Sequence, residues 1–218
     1  MDLAEIKIYR MTHIDNIDHV LQNGITHRNS LNHNPNYITI GDISLINTRD
    51  NKQVTVDNGD FLDFDASTIT LGDFIPFYFG IKMPMLYVIQ NGGNFVIEPT
   101  PASKIVYMVC SVNRIISKYE NYFFSDGHAT DNLTSFYNKT RINDLAEIID
   151  WKAVKASYWG GQDNLNLKRK KQAEFLISED ITPNLIFAFG CYNDVAKKKL
   201  IGLGIKEEKI KVIPNAYY

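Results

Sequence analysis

Lys168-Arg169-Lys170-Lys171-Gln172-Ala173-Glu174-Phe175-Leu176-Ile177 runs four consecutive cations into an apolar stretch that carries a single carboxylate. A charge between Ala173 and Phe175 must face solvent or a cleft, because an unpaired buried charge costs several kcal/mol. Taken alone, strand alternation reads Glu174 as a charge on an exposed face, and the 168–171 run as a solvated helical end. A cleft beside a basic run, by contrast, suits a phosphate-rich substrate.

The 218 residues, 44% hydrophobic and 22% charged, are enough for one domain, 1–218, with a substantial core. No run of about 18 apolar residues occurs, and the amino terminus lacks a basic segment followed by an apolar stretch and a small-residue cleavage site. Neither secretion nor membrane insertion is expected. Cys110 and Cys191 lie far apart without metal-ligand spacing, which fits a reducing cytoplasm rather than a disulfide framework or a zinc knuckle. The five histidines form no His-Glu-x-x-His pattern, His27 and His33 read as surface residues, and no metal is expected. A net charge of −2 does not advertise nucleic-acid binding, yet Lys152, Lys155 and the 168–171 run concentrate cations locally. Gly202-Leu203-Gly204 lacks the third glycine and the strand-to-helix setting of a dinucleotide fingerprint, and no Walker loop occurs. Any use of NAD must come from another fold.

Ile6 to Met11 alternates as a half-buried strand, and Asp15 to Asn23 puts Ile17, Val20 and Leu21 on one helical face closed by Gly24. Thr26 to Pro35 is polar and reads as an irregular loop, long enough for a lid or a ligand-binding segment. Val54 to Val56, the turn Asp57-Asn58-Gly59-Asp60 and Phe61 to Asp63 read as a hairpin. A helix starts at Pro84 and ends at Asn91-Gly92-Gly93. Ile105 to Cys110, Tyr122 to Phe124, Phe175 to Ile177, Leu185 to Phe189 and Ile210 to Ile213 read as strands, and Asn143 to Ile149 and Asn193 to Leu200 as helices. The mixture predicts an α+β fold with a mixed or antiparallel sheet.

Five segments in order resemble the DarT family, toxins of toxin–antitoxin pairs that ADP-ribosylate single-stranded DNA. They are Ile8-Tyr9-Arg10-Met11-Thr12-His13-Ile14 with Leu21-Gln22-Asn23-Gly24; Ile40-Gly41-Asp42 through Arg49; Phe74-Ile75-Pro76-Phe77-Tyr78-Phe79-Gly80 with Pro84-Met85-Leu86-Tyr87; Phe124-Ser125-Asp126-Gly127-His128-Ala129; and Lys168 through Leu176. The resemblance implies an ADP-ribosyltransferase fold, a split sheet whose cleft holds NAD as co-substrate. It makes Glu174 the transferase glutamate, places Thr12 and His13 against NAD, and matches Arg49 and His128 to other active-site positions. Tyr78, Met85 and Tyr87 read either as plain core or as lining of the nicotinamide pocket. Tyr158 and Trp159 would fall in the target-recognition loop and, with Lys168, Arg169 and Lys170, supply the stacking platforms and cations that single strands require. A macrodomain antitoxin of the DarG kind is the implied partner. Where family members commonly read Gly-Pro-Arg-Ser-Pro-Met-Leu-Tyr, this chain has Gly80-Ile81-Lys82-Met83-Pro84-Met85-Leu86-Tyr87, and the lysine keeps the charge without the planar fork. Thymine is the favoured acceptor; guanine, RNA, a protein side chain, and an inert single-stranded-DNA-binding module are the alternatives.

Overall fold

A computed structural model of the chain describes residues 2–58, 67–93, 95–96 and 98–218. The strands are β1 (Lys7–His13), β2 (Gln53–Asp57), β3 (Ser67–Thr70), β4 (Ile75–Tyr78), β5 (Ile105–Ser111), β6 (Tyr122–Ser125), β7 (Phe136–Tyr137), β8 (Glu174–Ile177), β9 (Ala188–Cys191) and β10 (Ile210–Val212). The helices are α1 (Ile17–Asn23), α2 (Ile43–Asn51), α3 (Pro84–Asn91), α4 (Val112–Ile116), α5 (Leu145–Ile148), α6 (Trp151–Lys155), α7 (Leu165–Lys171) and α8 (Asp194–Gly202). The strands pair in the order β10-β9-β5-β1-β4-β8-β6-β7-β2-β3. β9 with β10 and β2 with β7 run parallel; the other neighbours are antiparallel. The fold is therefore α+β with a mixed sheet, as the sequence predicts.

Two halves of that sheet meet at a weak seam. β1 and β5 register over seven pairs, whereas β1 and β4 share one, Tyr9 with Tyr78. Pro76 on β4 has no N–H to give, and its carbonyl accepts from Arg10 Nη1 at 2.8 Å instead of from a β1 amide. The seam is thus bridged by a side chain, which leaves room for a cleft. On the flanks, Phe77, Phe124 and Phe175 are fully buried, and Phe175 stacks on Tyr122 at 5.4 Å.

Local chemistry sets the helix ends. Asp42 Oδ1 accepts from the N–H groups of Ser44 (2.9 Å) and Leu45 (3.2 Å) and starts α2. Asn193 does the same for α8 through Ala196 N–H, 3.0 Å. Gly24 ends α1 at φ +85°, where Ile25 and Ile181 exchange two backbone bonds of 2.9 Å. That crossing is so close that a Cβ on Gly24 would lie 2.0 Å from the Ile181 carbonyl oxygen.

Three readings of the sequence need correction. The strand that pairs with β2 is β3, at 67–70; the Gly59-Asp60 half of the expected turn and the arm at 61–63 lie outside the described residues. Leu185 does not begin a strand: Pro183–Leu185 forms a 3-10 turn and β9 starts at Ala188. Asn143 and Asp144 belong to a 3-10 turn, Lys139–Asp144, that precedes the short α5.

Gly24→Ala should destabilise the fold by about 2–4 kcal/mol, since a positive-φ side chain there also strikes a carbonyl. Gly93→Ala, at φ +113° with nothing within 4 Å of the added Cβ, should cost only the backbone strain, about 1 kcal/mol. Urea midpoints of the two variants check this, and equal losses would contradict it.

Candidate active site

Where β1 and β4 part, a cavity of about 310 Å³ opens. Its walls include Arg10 and Met11 from β1, Pro76 and Tyr78 from β4, the segment Thr39–Asp42, Arg49 from α2, Met85 from α3, and His128 with Thr130. Glu174, the first residue of β8, registers opposite Tyr78 and is 1% exposed. Its two oxygens are held separately: Oε2 accepts from Arg49 Nη1 at 2.8 Å, and Oε1 from the Ala129 backbone N–H at 3.1 Å. Its own N–H donates to Ser125 Oγ at 3.1 Å, so main chain and side chain are both fixed. A bare buried carboxylate is expensive, and these donors are what make the position tolerable.

Arg49 stands between Glu174 and the cavity. Nη1 is spent on the carboxylate, while Nη2 is buried and, among the described residues, has no hydrogen-bond partner. Buried donors are nearly always satisfied, so the orphan nitrogen of this cavity-lining arginine is a donor that still wants an acceptor. Arg10 lines the same wall without a carboxylate partner among the described residues, and Arg28 pairs with Asp50 at its mouth. The cavity is thus rich in guanidinium and suited to an anion such as a diphosphate.

His128 lines the cavity with Nδ1 2.9 Å from Thr130 Oγ1. Burial pushes its pKa down, the nearby Glu174 working the other way. Burial also drives the Tyr78 hydroxyl well above its ordinary range, reinforced by Glu174. That phenol therefore stays protonated.

His13 lies in a second cavity, of about 280 Å³, with Thr100, Pro101 and Lys104. Thr39, Ile40 and Gly41 line both cavities and form the partition between them. Thr12, 1% exposed, sits behind that partition. Its hydroxyl accepts from Asn16 Nδ2 (3.0 Å), and Asn16 in turn exchanges two bonds with the Ile38 backbone, each 2.9 Å. Thr12 therefore reaches a ligand only through the wall it supports.

The structure distributes the remaining candidates differently from the sequence expectation. Tyr87 is not brought to the cavity; it packs edge-on against Trp159 (5.8 Å) and Tyr218 (5.2 Å). Lys168 sits over the Trp159 ring at 5.4 Å, Tyr158 is 72% exposed, and Lys170 pairs with Asp150 at 3.1 Å. Arg169 leaves the expected cationic track altogether: it is buried, with Nη1 2.8 Å from Asp126 Oδ1, because α7 turns it inward. Lys171 is also internal, its Nζ donating to the Val154 carbonyl at 2.9 Å, and burial lowers its pKa to about 8. Lys82 holds φ +56°, and its ammonium lies 5.0 Å from the Tyr218 ring centre. Sequence reasoning missed Arg10 as a wall residue; a charge inside a central apolar strand was the available signal, the same one that singled out Glu174.

The architecture is that of an ADP-ribosyltransferase. It superposes on the Thermus sp. 2.9 DarT structure in complex with ADP-ribosylated ssDNA at a TM-score of 0.80, with 24% identity, over 98% of this chain and 96% of that one. The same protein in complex with NAD+ gives a TM-score of 0.74 over 98% of each chain. A DNA ADP-ribosyl transferase of Escherichia coli O127:H6 is 32% identical over 194 residues, which is 88% of this chain and 83% of the relative. A Thermosipho africanus DNA ADP-ribosyl transferase–DNA ADP-ribosyl glycohydrolase fusion protein is 27% identical over 96% of this chain but only 48% of the relative. The family described as "ssDNA thymidine ADP-ribosyltransferase, DarT" matches residues 9–218. The chain belongs to that DarT family.

Among the described residues no group of three or more His, Cys, Asp or Glu could hold a metal ion, and no helix is long and apolar enough to cross a membrane. The lowered His128 and His13 pKa values, both caused first by burial, carry a stability signature. Each imidazole takes a proton more readily in the unfolded chain, so its contribution is complete above about pH 6.5 and is lost as pH falls toward the folded-state values. Urea midpoints should drop between pH 7.5 and pH 5.5, and a His13→Asn/His128→Asn double variant should show a flatter profile. An undiminished drop in the double variant would contradict the assignment.

Proposed function

We propose that this chain transfers ADP-ribose from NAD to thymine in single-stranded DNA, acting in the cytoplasm as one catalytic domain over residues 1–218. The observation that carries the reading is Arg49, which grips Glu174 with one nitrogen and leaves the other buried and unpaired at the wall of an arginine-lined cavity. An arginine fork that holds a carboxylate with one nitrogen and keeps the other for an anion is what a dinucleotide co-substrate requires. The family description and the Thermus complexes with NAD+ and with ADP-ribosylated ssDNA support the same reading.

NAD brings to the site a glycosidic bond to a nicotinamide leaving group. Arg49 Nη2 and Arg10 would receive the diphosphate. The second cavity, with His13 on its wall and shared residues Thr39–Gly41, would take the adenosine end. Glu174 would stabilise the positive charge that develops at the ribose carbon and accept the proton released by the attacking base nitrogen. His128, neutral at pH 7 because burial disfavours its charged form, would orient the reacting groups by hydrogen bonding. Tyr78 and Met85 would close the nicotinamide side and exclude water.

A base stacked inside a duplex cannot reach such a cavity, which is why single strands are the acceptor. The Tyr87, Trp159 and Tyr218 rings, flanked by Lys82 and Lys168, combine the aromatic faces and the cations that strand binding uses. Tyr158, exposed and next to Trp159 in the chain, extends that surface, whereas Lys170 is engaged by Asp150. The Thermosipho relative carries a glycohydrolase on the same polypeptide. A separate macrodomain antitoxin that removes the modification is the matching partner for this chain.

Single-stranded oligonucleotides, each lacking one base, should gain one ADP-ribose in intact mass whenever thymine is present, and none when it is absent. Glu174→Ala should reduce the rate by at least about 10²-fold. Modification of a thymine-free oligonucleotide would overturn the base assignment, and transfer only to RNA or protein would overturn the acceptor class.

A further inference from the structure

We infer that Arg169 is a positioning residue for the transfer: its guanidinium locks the turn from Asp126 to Thr134, and that turn supplies the N–H that grips Glu174 and the imidazole that lines the cavity. The inference rests on the reading of Glu174 as the transferase carboxylate. Nothing in the composition of the basic run marks Arg169 off from its neighbours. Lys168 turns outward over Trp159, whereas Arg169 is 8% exposed and makes no use of solvent.

Both terminal nitrogens of Arg169 go to that turn, while Nε is held within its own helix. Nη1 donates to Asp126 Oδ1 at 2.8 Å and to Thr134 Oγ1 at 3.2 Å; Nη2 reaches Asp126 Oδ2 at 3.4 Å; Nε donates to Asn166 Oδ1 at 3.2 Å. Its carbonyl accepts the His128 N–H at 3.0 Å. The fork thus clamps both ends of the turn, and the main chain holds its middle. Thr134 Oγ1 donates onward to the His128 carbonyl at 2.8 Å, and Ser125 Oγ donates to the Gly127 carbonyl at 2.7 Å while accepting the Glu174 N–H. Gly127 is required by the same contact, since a Cβ there would lie 2.5 Å from Arg169 Nη1.

The consequence is geometric. Ala129 N–H, 3.1 Å from Glu174 Oε1, is three residues from Asp126, and its place depends on the set of that turn as well as on the burial of the Ala129 methyl beside Val56, Leu71 and Phe136. Loosening the clamp lets both the donor and the His128 ring drift, and drift of about 1 Å at a reacting group costs on the order of 10²-fold in rate. A lysine at 169 would keep the charge but could not span Asp126 and Thr134 together.

The test compares Arg169→Lys, Asp126→Asn, their double variant and Glu174→Gln, reading kcat, KM for NAD, KM for a thymine-containing oligonucleotide, and Tm. Arg169→Lys and Asp126→Asn should each lower kcat by about tenfold or more, with both KM values within about twofold of the parent, and the double variant should be no worse than the poorer single. If either of these variants fails to fold, Thr134→Val, which removes one arm of the clamp and leaves the ion pair, should lower kcat by a smaller factor at unchanged KM. An unchanged kcat, a matching rise in oligonucleotide KM, or additive losses in the double variant would overturn the inference. Glu174→Gln reports separately: an active Glu174→Gln would sink the reading of the site itself, whereas an inactive one beside a fully active Arg169→Lys would sink only the role of Arg169.

Discussion

The ion pair between Arg49 and Glu174 organises everything around it. Glu174 is almost wholly buried at the start of a central strand, where an uncompensated carboxylate would cost several kcal/mol. Compensation comes from two separate parts of the chain, Arg49 near the end of α2 and the Ala129 N–H on the turn after β6, while Ser125 Oγ, accepting from the Glu174 N–H, holds the strand itself. Removing one partner of such a pair typically costs about 3–5 kcal/mol, because the other is left buried and alone. The interaction is therefore both a structural constraint and the place where chemistry can be done, with one Arg49 nitrogen left over for whatever enters the cavity.

That spare donor has somewhere to point because the sheet does not close. A proline at the seam forfeits the amide that would have continued the ladder between β1 and β4, and Arg10 spans the gap with a side chain. Gly24 and Ile25, clamped to Ile181, anchor the loop that begins at Thr26, whose first residues, Thr26 to Arg28, line the cavity. The segment 39–41 then lines both cavities, of about 310 and 280 Å³. The arrangement of cavity, guanidinium groups and recessed carboxylate follows from a few local choices of residue.

Much of this was legible in the sequence. The alternation in β1, the Gly24 and Asn193 caps and the proline-led α3 announce themselves through local rules that tertiary context does not override. The helix α2 does not: Ser44, Asn47, Thr48 and Asp50 give it no continuous apolar stripe, none of its residues is fully buried, and Asp42 capping is its main local signal. The partner of β2 was misplaced because Asn58-Gly59 reads as a tight turn, whereas the arm that pairs lies several residues further on. Leu185 was drawn into a strand by its apolar neighbours although Pro183 sets a 3-10 turn there.

Of the site, Glu174, Arg49 and His128 came from motif resemblance, and the structure brings them within reach of one another. What composition could not show was the sorting of the basic run. Helical geometry turns Lys168 toward the aromatic surface and Arg169 and Lys171 into the interior, and no property of four consecutive cations distinguishes those fates. The most direct measurement is calorimetric titration of NAD into the wild-type chain and into Arg49→Lys, without DNA. Lysine can pair with Glu174 or reach the ligand but not both, so NAD affinity should fall by about tenfold or more while the fold persists. Equal affinity in the two proteins would contradict the account, because the buried, unpaired nitrogen of Arg49 would then have no part in holding the co-substrate.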